Sequence, residues 1–219
     1  MERVAAAAAA AGRQPSELTV ITVTKTFPAS DVALLQELGV SDVGENRAQE
    51  MASKIIELAD HPSAPGAAIR WHFIGQRQSN KASLVARECA ALHTLDHESL
   101  IARLANSAAR AGRVLEVFLQ LSLDGDPRRG GVVESAVLPL ADAVAQCESL
   151  RLAGLMAVPP LGAPPRPAFA LLRAVSDRLR RTHPGAAALS AGMSADLEDA
   201  VMEGATHLRV GTDLMGSRA

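Results

Sequence analysis

Leu18-Thr19-Val20-Ile21-Thr22-Val23-Thr24-Lys25, followed by a turn at Pro28 and a helical pattern over Ser30 to Leu38, decides the fold. A short β-branched run handing over to an amphipathic helix is one βα unit. The alternation recurs until eight units are counted. The other candidate strands are Asp42 to Gly44, Arg70 to Phe73, Ala91 to Leu95, Val114 to Leu121, Leu150 to Met156, Ala188 to Ser190 and His207 to Val210. The helical patterns between them cover Ala48 to Ala59, Asn80 to Arg87, His97 to Ala111, Val132 to Cys147, Pro167 to Arg181 and Ala195 to Glu203, with a short one after Thr212. Ser30, Ser79 or Asn80, and Ser194 read as N-caps, and Gly39, Gly112 and Gly204 fall where helices stop.

Eight strands each followed by a helix predict one α/β domain over residues 1–219, a single (β/α)8 TIM barrel with its reactive groups at the carboxyl ends of the strands. An open doubly wound sheet is the alternative. It is weakened because neither GxGxxG nor a P-loop follows the first strand. The Pro-rich stretch Pro159 to Pro165 reads as the loop after the sixth strand, not as a linker.

The hydrophobic fraction of 48% supports a sizeable core, and with four Phe, one Trp and no Tyr that core must be filled by aliphatic side chains. A formal net charge of −2, with both signs interspersed, argues against a nucleic-acid partner. Cys89 and Cys147 lie far apart and outside any zinc spacing, so both read as buried thiols of a cytoplasmic protein. Ala5 to Ala11 is pure alanine ending at Gly12, a short helix and not the apolar part of a signal peptide. No run reaches the length of a membrane span, so a soluble protein is expected.

Lys25 ends the first strand, where apolar neighbours would favour the free amine and equip it to attack a carbonyl. A strand-end lysine also suits simple snorkelling into solvent; the other strand ends weigh against that. After strands seven and eight stand Ser190-Ala191-Gly192-Met193-Ser194 and Gly211-Thr212, glycines and hydroxyls of the kind that hold phosphate at this end of a barrel. An imine-forming lysine opposite a phosphate cup suits either a phosphosugar aldolase or pyridoxal 5′-phosphate. Arg209 favours the second, because a guanidinium facing the pyridine nitrogen would keep it unprotonated and make the ring a poor electron sink.

Val23-Thr24-Lys25-Thr26, Gly44-Glu45-Asn46 with Gln49-Glu50, Trp71-His72-Phe73-Ile74-Gly75 followed by Gln78-Ser79-Asn80-Lys81, Gly154-Leu155-Met156-Ala157-Val158-Pro159, Gly192-Met193-Ser194 and Arg209-Val210-Gly211-Thr212 stand in this order along nearly the whole chain. Together they resemble the pyridoxal phosphate homeostasis proteins, which share the barrel of the alanine racemase N-terminal domain. The resemblance implies that Lys25 carries the cofactor as an internal aldimine and that Asn46 lies near the ring. It further implies that Ser194, Gly211 and Thr212 hold the phosphate and that Arg209 meets the pyridine nitrogen. It also implies a role in vitamin B6 supply as a carrier or regulator of pyridoxal phosphate, with dependent apoenzymes as recipients and a monomeric state. Three departures stand out. Arg129, in Asp126 to Gly131, replaces a lysine common in the family and cannot form an imine; Asp213 replaces a small apolar residue and is expected to cap the next helix; the N-terminal helix is short.

Two-base racemisation of the alanine racemase kind draws its second base from a tyrosine of another domain, and this chain has no tyrosine and no second domain. A binding and delivery protein is therefore preferred over a racemase-like enzyme, and no residue is assigned to catalysis or to a metal. A Schiff-base aldolase would need further acid and base groups. A barrel that binds nothing is the other alternative. His93 and His97 have the spacing of a helical metal pair but sit at a strand-to-helix turn, so a loop or capping role is expected. His72 reads as a satisfied histidine near the barrel, and Glu45 as a partner for a nearby arginine.

Overall fold

A computed structural model describes residues 1–59, 68–76 and 81–216. The strands are β1 (Thr19–Val23), β2 (Asp42–Glu45), β3 (Arg70–Phe73), β4 (Ala91–Leu95), β5 (Leu115–Gln120), β6 (Leu150–Met156), β7 (Ala188–Ser190) and β8 (His207–Val210). They pair in chain order, all parallel, and close on themselves. Closure is made where Ile21 pairs with Arg209 and Thr22 with Val210 across β1 and β8. The barrel expected from the sequence is thus the one observed, and the open sheet is not.

The helices are α1 (Glu2–Ala10), α2 (Ala29–Glu37), α3 (Ala48–Ala59), α4 (Ala82–Glu88), α5 (Ile101–Arg110), α6 (Glu134–Ala145), α7 (Pro165–Leu179), α8 (Leu197–Met202) and the single turn α9 (Thr212–Met215). Their buried stripes follow the helical period, as in Ile101, Leu104 and Ala108 of α5 or Phe169, Leu172, Val175 and Leu179 of α7. These stripes pack on outward strand residues such as Val117, Leu119, Leu155 and Leu208 in one continuous core. Each fully buried Leu or Phe there contributes about 1.5–3 kcal/mol. Inside the barrel the apolar filling is small: Ala91, Phe118 and Met156 form a separate cluster.

Gly39, Gly112 and Gly204 all take positive φ just after their helices, as expected. The N-cap readings need correction. Pro28 flanks α2 and Ser30 is its second residue, while Asp196 flanks α8 and Ser194 lies upstream of it. Ser79 and Asn80 fall outside the described residues. Cys89 is buried and hydrogen-bonded to the Met51 sulfur, but Cys147 is only half-buried. Among the described residues no helix is long and apolar enough to cross a membrane.

Candidate functional site

β1 alternates, so Ile21 and Val23 face the barrel axis: Ile21 pairs with the inward Arg209, and both side chains approach Gly44. Two residues further, the same parity brings Lys25, half-buried, to the mouth. The chain turns there. Phe27 N–H donates to Thr24 O at 3.0 Å, and Thr26 sits at φ 71°, a conformation that β-branched residues adopt only under strain. Behind the turn Lys54 Nζ of α3 donates to Thr24 O at 2.8 Å and to Glu45 Oε1, which also accepts from Thr24 Oγ1 at 2.7 Å. Glu45 is fully buried and Lys54 nearly so. The partner of Glu45 is therefore a lysine, not the expected arginine, and the pair pins the last residue before Lys25 to α3. Replacing Thr26 by glycine is expected to raise stability by about 0.5–1 kcal/mol, relieved strain outweighing the added freedom of the unfolded chain. A urea midpoint equal to or below that of the parent protein would contradict the strain.

On the neighbouring strand ends, the loop after β7 turns at Gly192, φ 91°, where an added Cβ would lie 2.7 Å from the Ala200 Cβ. No other residue fits that bend. The turn brings Ser194 to the start of α9, where its Oγ faces the Asp213 N–H at 3.4 Å. Gly211 lies against β1, its added Cβ meeting the Val23 Cβ at 3.4 Å, so the ends of β7, β8, β1 and β2 form one sector of the rim. Asp213 does not cap α9; Gly211 occupies that position. Its carboxylate instead pairs with Arg3 of α1, which also donates to Ser194 O at 3.0 Å and to Glu198. The acid beside the expected phosphate residues is thereby neutralised.

Arg209 is buried, donating through Nη1 to Ser190 Oγ at 2.6 Å and through Nη2 to Ala157 O at 3.0 Å. Burial lowers its pKa to about 10, which leaves it a cation at neutral pH. Asn46 is half-buried at the end of β2, and its backbone crosses Gly75 so closely that a Cβ there would meet Asn46 O at 2.0 Å. Gly75 is thus demanded by the path of Asn46. Lys81 stands at the start of α4, and Gln78 lies outside the described residues.

Across the mouth lies a cavity of about 220 Å³, bounded by Ile74, Gln76, Thr94, Gln120, Arg129 and Met156. None of the six sequence-predicted residues lines it. Arg129 is spent on structure: it pairs with Asp124 and donates to Val158 O and Pro159 O, tying the loops after β5 and β6 together. Its own carbonyl accepts from Gln76 and Gln120.

Sequence reasoning missed what fills the barrel. His72 Nε2 meets Asp42 Oδ1 at 2.8 Å, His72 Nδ1 meets His93 Nε2 at 2.9 Å, and His93 Nδ1 meets Ser190 Oγ at 2.8 Å. His93 also stacks on Phe118, with His207 edge-on to the same ring. His72 is satisfied within the barrel as expected, but His93 is an interior strand residue and holds neither a loop nor a cap. Burial, then the charges of His72, Arg209 and His207, hold the His93 pKa well below the usual imidazole value. Burial likewise takes His207 to about 4. Among the described residues no group of three or more possible metal ligands occurs. Polar residues at inward strand positions were the available signal.

A buried cation, an amine at the mouth, and a glycine bend admitting no side chain beside two hydroxyls suit a flat aldehyde bearing an anionic group. A family model described as alanine racemase, N-terminal domain, matches residues 3–219. A pyridoxal phosphate homeostasis protein of Mycobacterium leprae (strain TN) is 45% identical over 226 residues, covering 98% of this chain and 88% of that protein. One from Escherichia coli (strain K12) is 34% identical over 220 residues, covering 99% and 93%. The solved structure of PipY from Synechococcus elongatus PCC7942 with PLP bound is 32% identical, covers 97% of this chain and 100% of that one, and superposes with a TM-score of 0.83. An alanine racemase of Clostridium difficile 630, 17% identical with a TM-score of 0.69 over 53% of its length, shares the fold.

Proposed function

The chain belongs to the pyridoxal phosphate homeostasis proteins, a family built on the alanine racemase N-terminal domain, and we propose that it binds pyridoxal 5′-phosphate through Lys25 and serves the supply of that cofactor. The observation that carries the reading is the shared rim. Lys25 and Asn46 end β1 and β2, while Ser194, Arg209, Gly211 and Thr212 belong to β7, β8 and the turns that follow them.

In this reading Lys25 supplies the amine and Asn46 lies beside the ring. Ser194 Oγ, Thr212 Oγ1 and the backbone at Gly211 take the phosphate. Arg209, a donor with no acceptor atoms, offers a hydrogen bond to the pyridine nitrogen and keeps it unprotonated. When bound, the cofactor supplies an electron sink, and an unprotonated ring is a weak one. The 219 residues contain no tyrosine to act as a second base. These features support holding and delivery over racemisation, by one barrel unit acting as a cytoplasmic monomer with dependent apoenzymes as recipients.

The test is the absorption spectrum of the purified protein before and after adding pyridoxal phosphate. A visible band that borohydride removes is expected, and a protein that stays colourless with excess cofactor would exclude the reading. Thr212→Ala is expected to weaken retention by about 1–2 kcal/mol, one hydrogen bond to a charged group. Equilibrium dialysis measures it, and unchanged affinity removes Thr212 from the site.

A further inference from the structure

Four hydrogen bonds cross the barrel from Arg209 to Asp42, and their direction can be worked out from one end. A guanidinium only donates, so the Ser190 oxygen accepts from Arg209 Nη1. Ser190 is fully buried, and its own O–H has His93 Nδ1 at 2.8 Å as the acceptor in reach. Were that ring nitrogen to carry a proton instead, the hydroxyl hydrogen of this buried serine would lose that acceptor, which is unfavourable. His93, kept neutral by burial, then carries its proton on Nε2 and donates to His72 Nδ1. That nitrogen must accept, so the single proton of His72 is on Nε2 and is donated to Asp42 Oδ1. The first donor decides the rest.

We infer that Asp42, His72, His93 and Ser190 are positioning residues for Arg209: a donor chain of one polarity, running from guanidinium to carboxylate, that fixes the cation presented to the pyridine nitrogen. The polarity follows from the hydrogen bonds and the neutrality of the buried His93 ring, whereas the role toward the cofactor ring rests on the cofactor reading above. Bonds aligned in one sense polarise one another, so breaking the chain at either end is felt along it.

The experiment is nitrogen-detected NMR of the histidine rings in the cofactor-free protein at neutral pH, together with cofactor titrations. Both His72 and His93 are expected to show a proton on Nε2 and none on Nδ1. A proton on Nδ1 of His93, or a doubly protonated His72, overturns the polarity. Each end alone still dictates the direction, so the double variant Asp42→Asn, Ser190→Ala, which frees both, is the one expected to give mixed tautomers at His93. Ser190→Ala alone is expected to weaken pyridoxal phosphate binding about tenfold and to shift the visible band. His207→Gln serves as the control, because that ring shares the interior but hydrogen-bonds to Thr206 and lies outside the chain; it should leave both tautomers and affinity unchanged. Affinity unchanged in Ser190→Ala, tautomers unchanged in the double variant, or equal losses in His207→Gln, overturn the assignment. If the parent protein takes up no cofactor, the reading of the previous section fails, and the ring spectra still decide the polarity.

Discussion

Lys25→Ala is expected to abolish the visible absorption of bound pyridoxal phosphate while leaving the thermal unfolding midpoint close to that of the parent protein. The first part follows from chemistry: an alanine has no amine to condense with the aldehyde, and the residues proposed for the phosphate could then hold the cofactor only non-covalently. The second follows from placement. Lys25 is half-buried beyond the end of β1, no described hydrogen bond or ion pair runs through its side chain, and the substitution leaves Ile21 and Val23 in place. Spectra taken with and without borohydride check the prediction. A band that persists shows that another lysine carries the aldehyde, Lys81 being the candidate at the start of α4.

Lys54→Met is expected to cost about 3–5 kcal/mol of stability, the range for removing one member of a buried ion pair. Glu45 is fully buried, and its Oε2 already has no hydrogen-bond partner. Without the ammonium the carboxylate keeps only the Thr24 hydroxyl. Thr24 O also loses a donor, which loosens the turn on which Lys25 stands. Adding Glu45→Gln should recover most of the loss, because a neutral amide can still accept from Thr24 Oγ1 without an unpaired charge. Urea titration of the two single variants and the double variant closes the cycle. Strictly additive losses would mean that the pair is not a unit.

The barrel was legible because β-branched runs and helical stripes alternate without interruption, and every strand lies within a residue or two of its expected bounds. Glycines at helix ends were legible for the same reason, since local chemistry sets them. What escaped was non-local. His93 and Ser190 are 97 positions apart and meet only because eight strands close, so nothing near either residue announces the contact. Lys54 belongs to an amphipathic helix, where a lysine ordinarily marks the wet face; here it reaches inward to Glu45. Asp213 was misread because its partner, Arg3, comes from the opposite end of the chain. Arg129 was read only as a residue unable to form an imine, whereas its hydrogen bonds to Val158 and Pro159 make it a strut.

Barrels of this class are commonly filled by layers of branched aliphatic residues. Here Asp42 begins β2 at the amino-terminal rim, Arg209 lies near the carboxyl end of β8, and polar side chains occupy the space between. The hydrogen-bonded chain therefore runs lengthwise from a cation under the entrance to a carboxylate at the base, where Arg70 also pairs with Asp42. An anion seated at the mouth lies at the cationic end of this axis, and the low-dielectric interior screens that cation less than bulk solvent would.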